Sequence, residues 1–240
     1  KNYMKKFQII GASATLDNPK EFFSNMYDLP EKSFTYIKSG SKRKQNMHRF
    51  FIMPRKYSQR TTMEMITTIC NKKKSKQLVF SNSHNDAEFL ASNVESMNEK
   101  IRIQIHRGGL EQKDRKLYES QMKEGELDIL SCTPTLELGI DIGNVDVVIS
   151  AFKNEYDSFI QRIGRAGRKG QKSYAICVFD PEDAACHYFA RNIPAYLNQN
   201  HHVEINKENS IISEKHTVSI GMEKHAALES DKSKFFDFAN

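Results

Sequence analysis

Short apolar runs recur along the chain with polar, helix-compatible stretches between them. FQIIGASAT, HRFFIMP (stopped by Pro54), QLVFS, IRIQIH, DILSC, DVVISA and SYAICVF are rich in β-branched and aromatic residues, which predicts strands. Residues 60–71, 84–98 and 111–123 predict helices, the last opened by acidic and polar residues. Strands separated by single helices predict an α/β fold, a parallel sheet flanked by helices on both faces. Such sheets bind ligands at the carboxyl ends of their strands, where most of the polar motifs fall. After Phe189 the pattern changes. ARNIPAYLNQNHHVEINKEN, with its proline, asparagines and histidines, reads as a linker, and residues 211–228 as a short accessory helix. The expected division is 1–45, 46–190 and 191–240, with no internal repeat.

Composition narrows the class. A chain of 240 residues can bury a real core. No apolar run reaches the roughly 20 residues that cross a bilayer, and the lysine-rich start lacks the apolar stretch of a signal peptide. The expectation is a soluble intracellular protein, cytoplasmic or at the nucleoid or nucleus, with no membrane partner. The net charge of +6 is uneven, basic before about residue 77 with clusters at Lys42-Arg43-Lys44 and Lys72-Lys73-Lys74. A basic face suits a polyanion, although lysine runs are more often solvated loops. Cys70, Cys132, Cys177 and Cys186 form no C-x-x-C pair and lie near no histidine at ligand spacing, so no metal site is expected. His201 and His202 point apart as neighbours, and no acid completes a site there. His84 reads as a helix N-terminal residue, and Met47, Met53, Met63 and Met65 as core or gap fillers.

The segment from Thr133 to Arg168 carries the chemistry. TPTLELGIDIG places a hydroxyl, a glycine and an acid directly after a buried strand. Gly139 and Gly143 allow close backbone approach, and Asp141 can accept a ribose hydroxyl. In QRIGRAGR, Arg162, Arg165 and Arg168 recur every third residue, which predicts one side of a short helix. Three cations so placed need an anion, and the planar guanidinium fork matches phosphate oxygens. A merely solvated basic helix would not need Gly164 and Gly167 between them.

QRIGRAGR resembles motif VI of superfamily 2 helicases, and CTPTLELGIDIG resembles their motif V. GASATLDNP is similar to motif III, LVFSNS to motif IV, and HRGG with EQKDR to the nucleic-acid-contacting segment between IV and V. The elements occur in the family's order over residues 9–171, and the LELGIDIG wording resembles the Lhr group and its mitomycin repair factor A-like relatives. The resemblance implies a RecA-like second motor lobe. Arg165 and Arg168 would be arginine fingers on the γ-phosphoryl of ATP, with Gln161 at the same interface. Gly139 and Asp141 would couple the ATP cleft to closure, and Ser13 and Thr15 would couple hydrolysis to strand movement. Thr133, Arg107, Gly108, Gly109 and Ser81 would contact a single strand, DNA on the subfamily resemblance. Phe80 suits either core or stacking.

No G-x-x-x-x-G-K-[ST] or D-E-x-H element occurs. The resemblance therefore implies a fragment that starts on the last strand of the first lobe and is inactive alone. ATP and Mg²⁺ would be held mainly by that first RecA-like lobe of the same polypeptide. An RNA helicase lobe, and a non-catalytic nucleic-acid-binding module of the same fold, are the alternatives.

Overall fold

A computed structural model describes residues 8–13, 16–37, 46–137, 142–168, 170–199, 205–206 and 209–229. In chain order the elements are α1 (Pro19–Tyr27), β1 (Met47–Ile52), α2 (Gln59–Asn71), β2 (Gln77–Phe80), α3 (His84–Met97), β3 (Ile103–His106), α4 (Gln112–Glu124), β4 (Ile129–Cys132), β5 (Val147–Ala151), α5 (Tyr156–Ile163), β6 (Ser173–Val178), α6 (Ala184–Arg191), α7 (Ile193–Leu197) and α8 (Ser210–Glu229). The chain divides into one unit over Ser39–Gln199 and a second drawn from its ends, Lys1–Lys38 with Asn200–Asn240.

The larger unit is built on a parallel sheet of order β1-β6-β5-β2-β4-β3. Its central strands are apolar on both faces, because helices cover both. Leu78, Phe80, Leu130, Cys132, Val148, Ala175 and Cys177 pack on one side with Met122 of α4, Phe159 and Ile163 of α5, and Cys186 of α6. Val79, Ile129, Val147, Ile149, Ile176 and Val178 face the other side against Met63 of α2 and Leu90, Ala91 and Val94 of α3. The predicted α/β architecture with flanking helices is the one observed.

Helix boundaries follow local chemistry. Ser58 caps α2 by accepting from the Thr61 amide at 3.2 Å. Ser83 does the same for α3 from Asp86, which confirms His84 as its first residue. Gly125, at φ 87°, closes α4 in the left-handed region.

Three sequence readings change. Residues 193–197, read as linker, are helical, and Tyr196 is wholly buried in an aromatic cluster with Phe51, Phe152, Phe159 and Phe189. The polar residues around Tyr196 hide a single anchoring ring. Met65, read as core, is exposed on α2 while Met63 is buried, since the two lie on different sides of the helix. Residues 8–13 of the first predicted strand are irregular, and Ile10 is exposed. A strand needs a neighbouring ladder, and every strand among the described residues belongs to the sheet of the other unit. In that second unit, Pro19 opens α1 and the Asn209 side chain accepts from the Ile212 amide at the start of α8, within the predicted accessory helix. No helix among the described residues is long and apolar enough to cross a membrane.

Candidate functional site

Three of the residues expected to contact a strand stand at the carboxyl ends of adjacent strands. Ser81 follows β2, Thr133 follows β4 and Arg107 follows β3. The backbone stitches these ends together: the Ser81 amide donates to the Cys132 carbonyl at 2.8 Å, and the Thr133 amide to the His106 carbonyl at 3.2 Å. Ser81 and Thr133 are 2% and 3% exposed, set at the floor of this edge, whereas Arg107 is half-buried. Arg107 Nε pairs with Glu88 of α3 at 2.8 Å, and its Nη1 donates to the Gly108 carbonyl at 3.1 Å. The loop then turns through Gly109 at φ 84°, a left-handed conformation that favours glycine.

The arginines of QRIGRAGR do not share a helix face. Helix α5 ends at Ile163, and the turn after it carries Arg165 and Arg168. Gly167 lies within that turn at φ 68°, its amide donating to the Val145 carbonyl at 3.2 Å beside the Val145–Ala166 bridge. A Cβ at Gly167 would stand 2.5 Å from Ser173 Oγ. Gly167→Ala is expected to destabilise the domain by at least about 1 kcal/mol, read as a lowered midpoint in denaturant unfolding.

Nor do all three arginines await an external anion. Arg162 is 0% exposed and its Nε pairs with Glu137 Oε1 at 2.7 Å. Its Nη1 donates to Ser150 Oγ at 2.9 Å and to the Ala151 carbonyl at 3.1 Å, and its guanidinium stacks 5.3 Å above the Phe80 ring. Phe80 is thereby a core residue. Arg165, 8% exposed, donates from Nη2 to the Glu137 carbonyl at 2.7 Å. Burial, with the nearby Arg168 charge, pushes its pKa below the usual arginine value. A desolvated cation beside a like charge is an arrangement that an incoming polyanion relieves. Arg168 is half-buried, its Nε 3.3 Å from the Gly164 carbonyl, and Gln161 is half-buried on the last turn of α5.

Glu137 therefore joins two groups of residues. Its carboxylate holds Arg162, its carbonyl holds Arg165, and the turn Pro134–Leu136, with Leu136 buried, connects it to Thr133 at the strand-end edge. Sequence reasoning missed Glu137. An acid in the apolar run TLELGI signals a buried partner, but not which of three arginines supplies it. Arg115 of EQKDR was also passed over; its Nε is buried with no hydrogen-bond partner among the described residues.

Gly139, Asp141 and Thr15 lie outside the described residues. Ser13 is exposed and belongs to the smaller unit. No group of metal-ligating side chains occurs among the described residues.

Residues 59–170 match the helicase conserved C-terminal domain family. The chain is 28% identical to an uncharacterised ATP-dependent helicase of Methanocaldococcus jannaschii over 90% of its own length and 32% of that protein. It is 25% identical to the ATP-dependent helicase hrq1 of Schizosaccharomyces pombe over 96% of its length and 23% of that protein. Among solved structures, the DUF1998 helicase MrfA bound to DNA and AMPPNP superposes with a TM-score of 0.72 at 26% identity, covering 83% of this chain and 29% of that one. The chain thus spans a third or less of the length of each of these proteins.

Proposed function

We propose that the chain, whose residues 59–170 match the helicase conserved C-terminal domain family, is the second motor lobe of an ATP-dependent DNA helicase or translocase of superfamily 2. The observation that carries this reading is the placement of Glu137, which grips Arg162 and Arg165 while standing four residues from Thr133. One short turn thus links Arg165, which we assign to the nucleotide, to the strand-facing edge.

Arg165 and Arg168 act as arginine fingers that stabilise charge on the γ-phosphoryl group, and Gln161 sits at the same interface. The desolvated, like-charged arginine pair fits a triphosphate chemically. ATP supplies the phosphoryl group whose transfer drives the lobes. Mg²⁺ is assigned to a first RecA-like lobe, and Gly139, Asp141, Ser13 and Thr15 to coupling between the lobes. Ser81, Arg107, Gly108, Gly109 and Thr133 bind a single strand through its phosphates, largely without regard to sequence. DNA is favoured over RNA by the likeness to DNA-bound MrfA.

Arg107→Ala and Thr133→Ala are each expected to weaken binding of a labelled oligonucleotide, and raising the salt concentration should weaken binding by the native protein as well. Fluorescence polarisation across a salt series checks this, and unchanged affinity in both variants removes the two residues from the site. Strand displacement on matched DNA and RNA duplexes, with the first lobe present, tests the nucleic-acid preference.

A further inference from the structure

We propose that His106 is a positioning residue of the strand-facing edge, the buried link that holds the Arg107–Gly109 loop, the turn after β4 and helix α4 in one arrangement. This builds on the strand-contact reading above.

His106 ends β3 and is 1% exposed. Its Nδ1 lies 2.9 Å from Thr135 Oγ1, and its Nε2 lies 3.1 Å from Glu119 Oε1 on α4. Its carbonyl accepts from the Thr133 amide. Thr135 Oγ1 is also 3.2 Å from that carbonyl and 3.4 Å from the Thr133 carbonyl. One residue thus reaches the turn by ring and main chain, reaches α4 by ring, and is bonded covalently to Arg107. Buried polar groups are held firmly because leaving one unpaired is unfavourable. Ring, carboxylate and hydroxyl therefore define one another's positions.

The hydrogens sort into two arrangements. With a neutral ring, Nε2–H donates to Glu119 and Nδ1 accepts from the Thr135 hydroxyl. With a protonated ring, Nδ1–H donates to Thr135 Oγ1, and the hydroxyl must turn to the His106 or Thr133 carbonyl. Burial holds the His106 pKa below the usual histidine value; Glu119 opposes this, and the Arg115 charge on α4 adds to it. From β4 the register partner is Cys132, whose thiol burial drives far upward and keeps neutral. The ring is therefore neutral at pH 7. A base with a lowered folded pKa binds fewer protons folded than unfolded. The neutral arrangement is thus fully present above the ordinary histidine range and loses stability as pH falls below it. Protonation releases the Thr135 hydroxyl to main-chain carbonyls in the turn that carries Thr133, and strand affinity falls with it.

The test is fluorescence polarisation of a labelled oligothymidine with the 240-residue chain, between about pH 5 and 8. Thr135→Val, which keeps the side-chain shape but removes the hydroxyl, is expected to weaken binding about five- to tenfold at neutral pH. Thr135→Ser restores it. Glu119→Gln removes the charge that raises the ring pKa, so the acid-side loss of affinity moves to lower pH, a shift that a merely structural role would not produce. Thermal unfolding accompanies each variant, and if Thr135→Val does not fold, the Glu119→Gln midpoint decides. A midpoint unmoved by Glu119→Gln, or native affinity in folded Thr135→Val, overturns the proposal. If Arg107→Ala and Thr133→Ala also bind normally, the strand-contact reading has failed with it. If those two weaken binding, the role of His106 alone is wrong.

Discussion

Arg165→Ala, in a polypeptide that also carries the first motor lobe, is expected to lower ATP turnover by roughly 10³-fold or more, with strand affinity little changed. The guanidinium of Arg165 is almost withdrawn from water, is anchored by the Glu137 carbonyl, and has Arg168 as a like-charged neighbour. A preorganised cation of this kind stabilises charge that develops on a phosphoryl group without solvent having to reorganise. Arg165→Lys is expected to recover little, because an ammonium lacks the planar fork that meets two oxygens and the carbonyl anchor together. Loss of the hydrogen bond to Glu137 should itself lower stability by only about 1 kcal/mol. Thermal unfolding measured beside turnover therefore separates a folding defect from a catalytic one. Near-native turnover in both Arg165→Ala and Arg168→Ala would remove the finger assignment.

The second large effect is structural. Glu137→Ala leaves the Arg162 guanidinium wholly buried without its counter-ion, and breaking a buried pair from one side typically destabilises by about 3–5 kcal/mol. Folded domains are stable by only about 5–15 kcal/mol. For a domain of this size the melting temperature should fall by roughly 6–20 °C. Replacing both partners by apolar residues, Arg162→Met with Glu137→Leu, should destabilise less than Glu137→Ala alone, because no unbalanced charge is left at that site. A shift of under about 2 °C in Glu137→Ala would show that its carboxylate is not what balances Arg162.

These two expectations concern arginines three residues apart in one motif, and the sequence does not separate their roles. QRIGRAGR presents Arg162, Arg165 and Arg168 as equivalents on a regular spacing. The fold ends α5 at Ile163, sends Arg162 inward to Glu137 and Ser150, and leaves Arg165 and Arg168 on the turn. The sheet, by contrast, was legible. The central strands are mostly apolar because both their faces are covered, with Gln77, Ser131 and Ser150 as buried polar exceptions, and the six strands among the described residues all coincide with predicted strands. The tail of the domain was not legible. Tyr196 sits among asparagines and a proline, and a single ring anchoring two short helices leaves no periodic signal. His106 escaped notice for a related reason, since Glu119 and Thr135 are 13 and 29 residues away from it.

What the sequence determined by itself was the six strands of the sheet, helices α2, α3, α4 and α8, the parallel α/β architecture and the motifs, because hydrophobic period and local capping act over a few neighbouring residues. What only the tertiary structure decided was where each charged group went: Arg162 inside against Glu137, Arg165 and Arg168 on the turn after α5, and His106 buried between Thr135 and Glu119. Those outcomes depend on burial and on charges brought together across separate strands and helices. Desolvation assigns them only when the chain is packed.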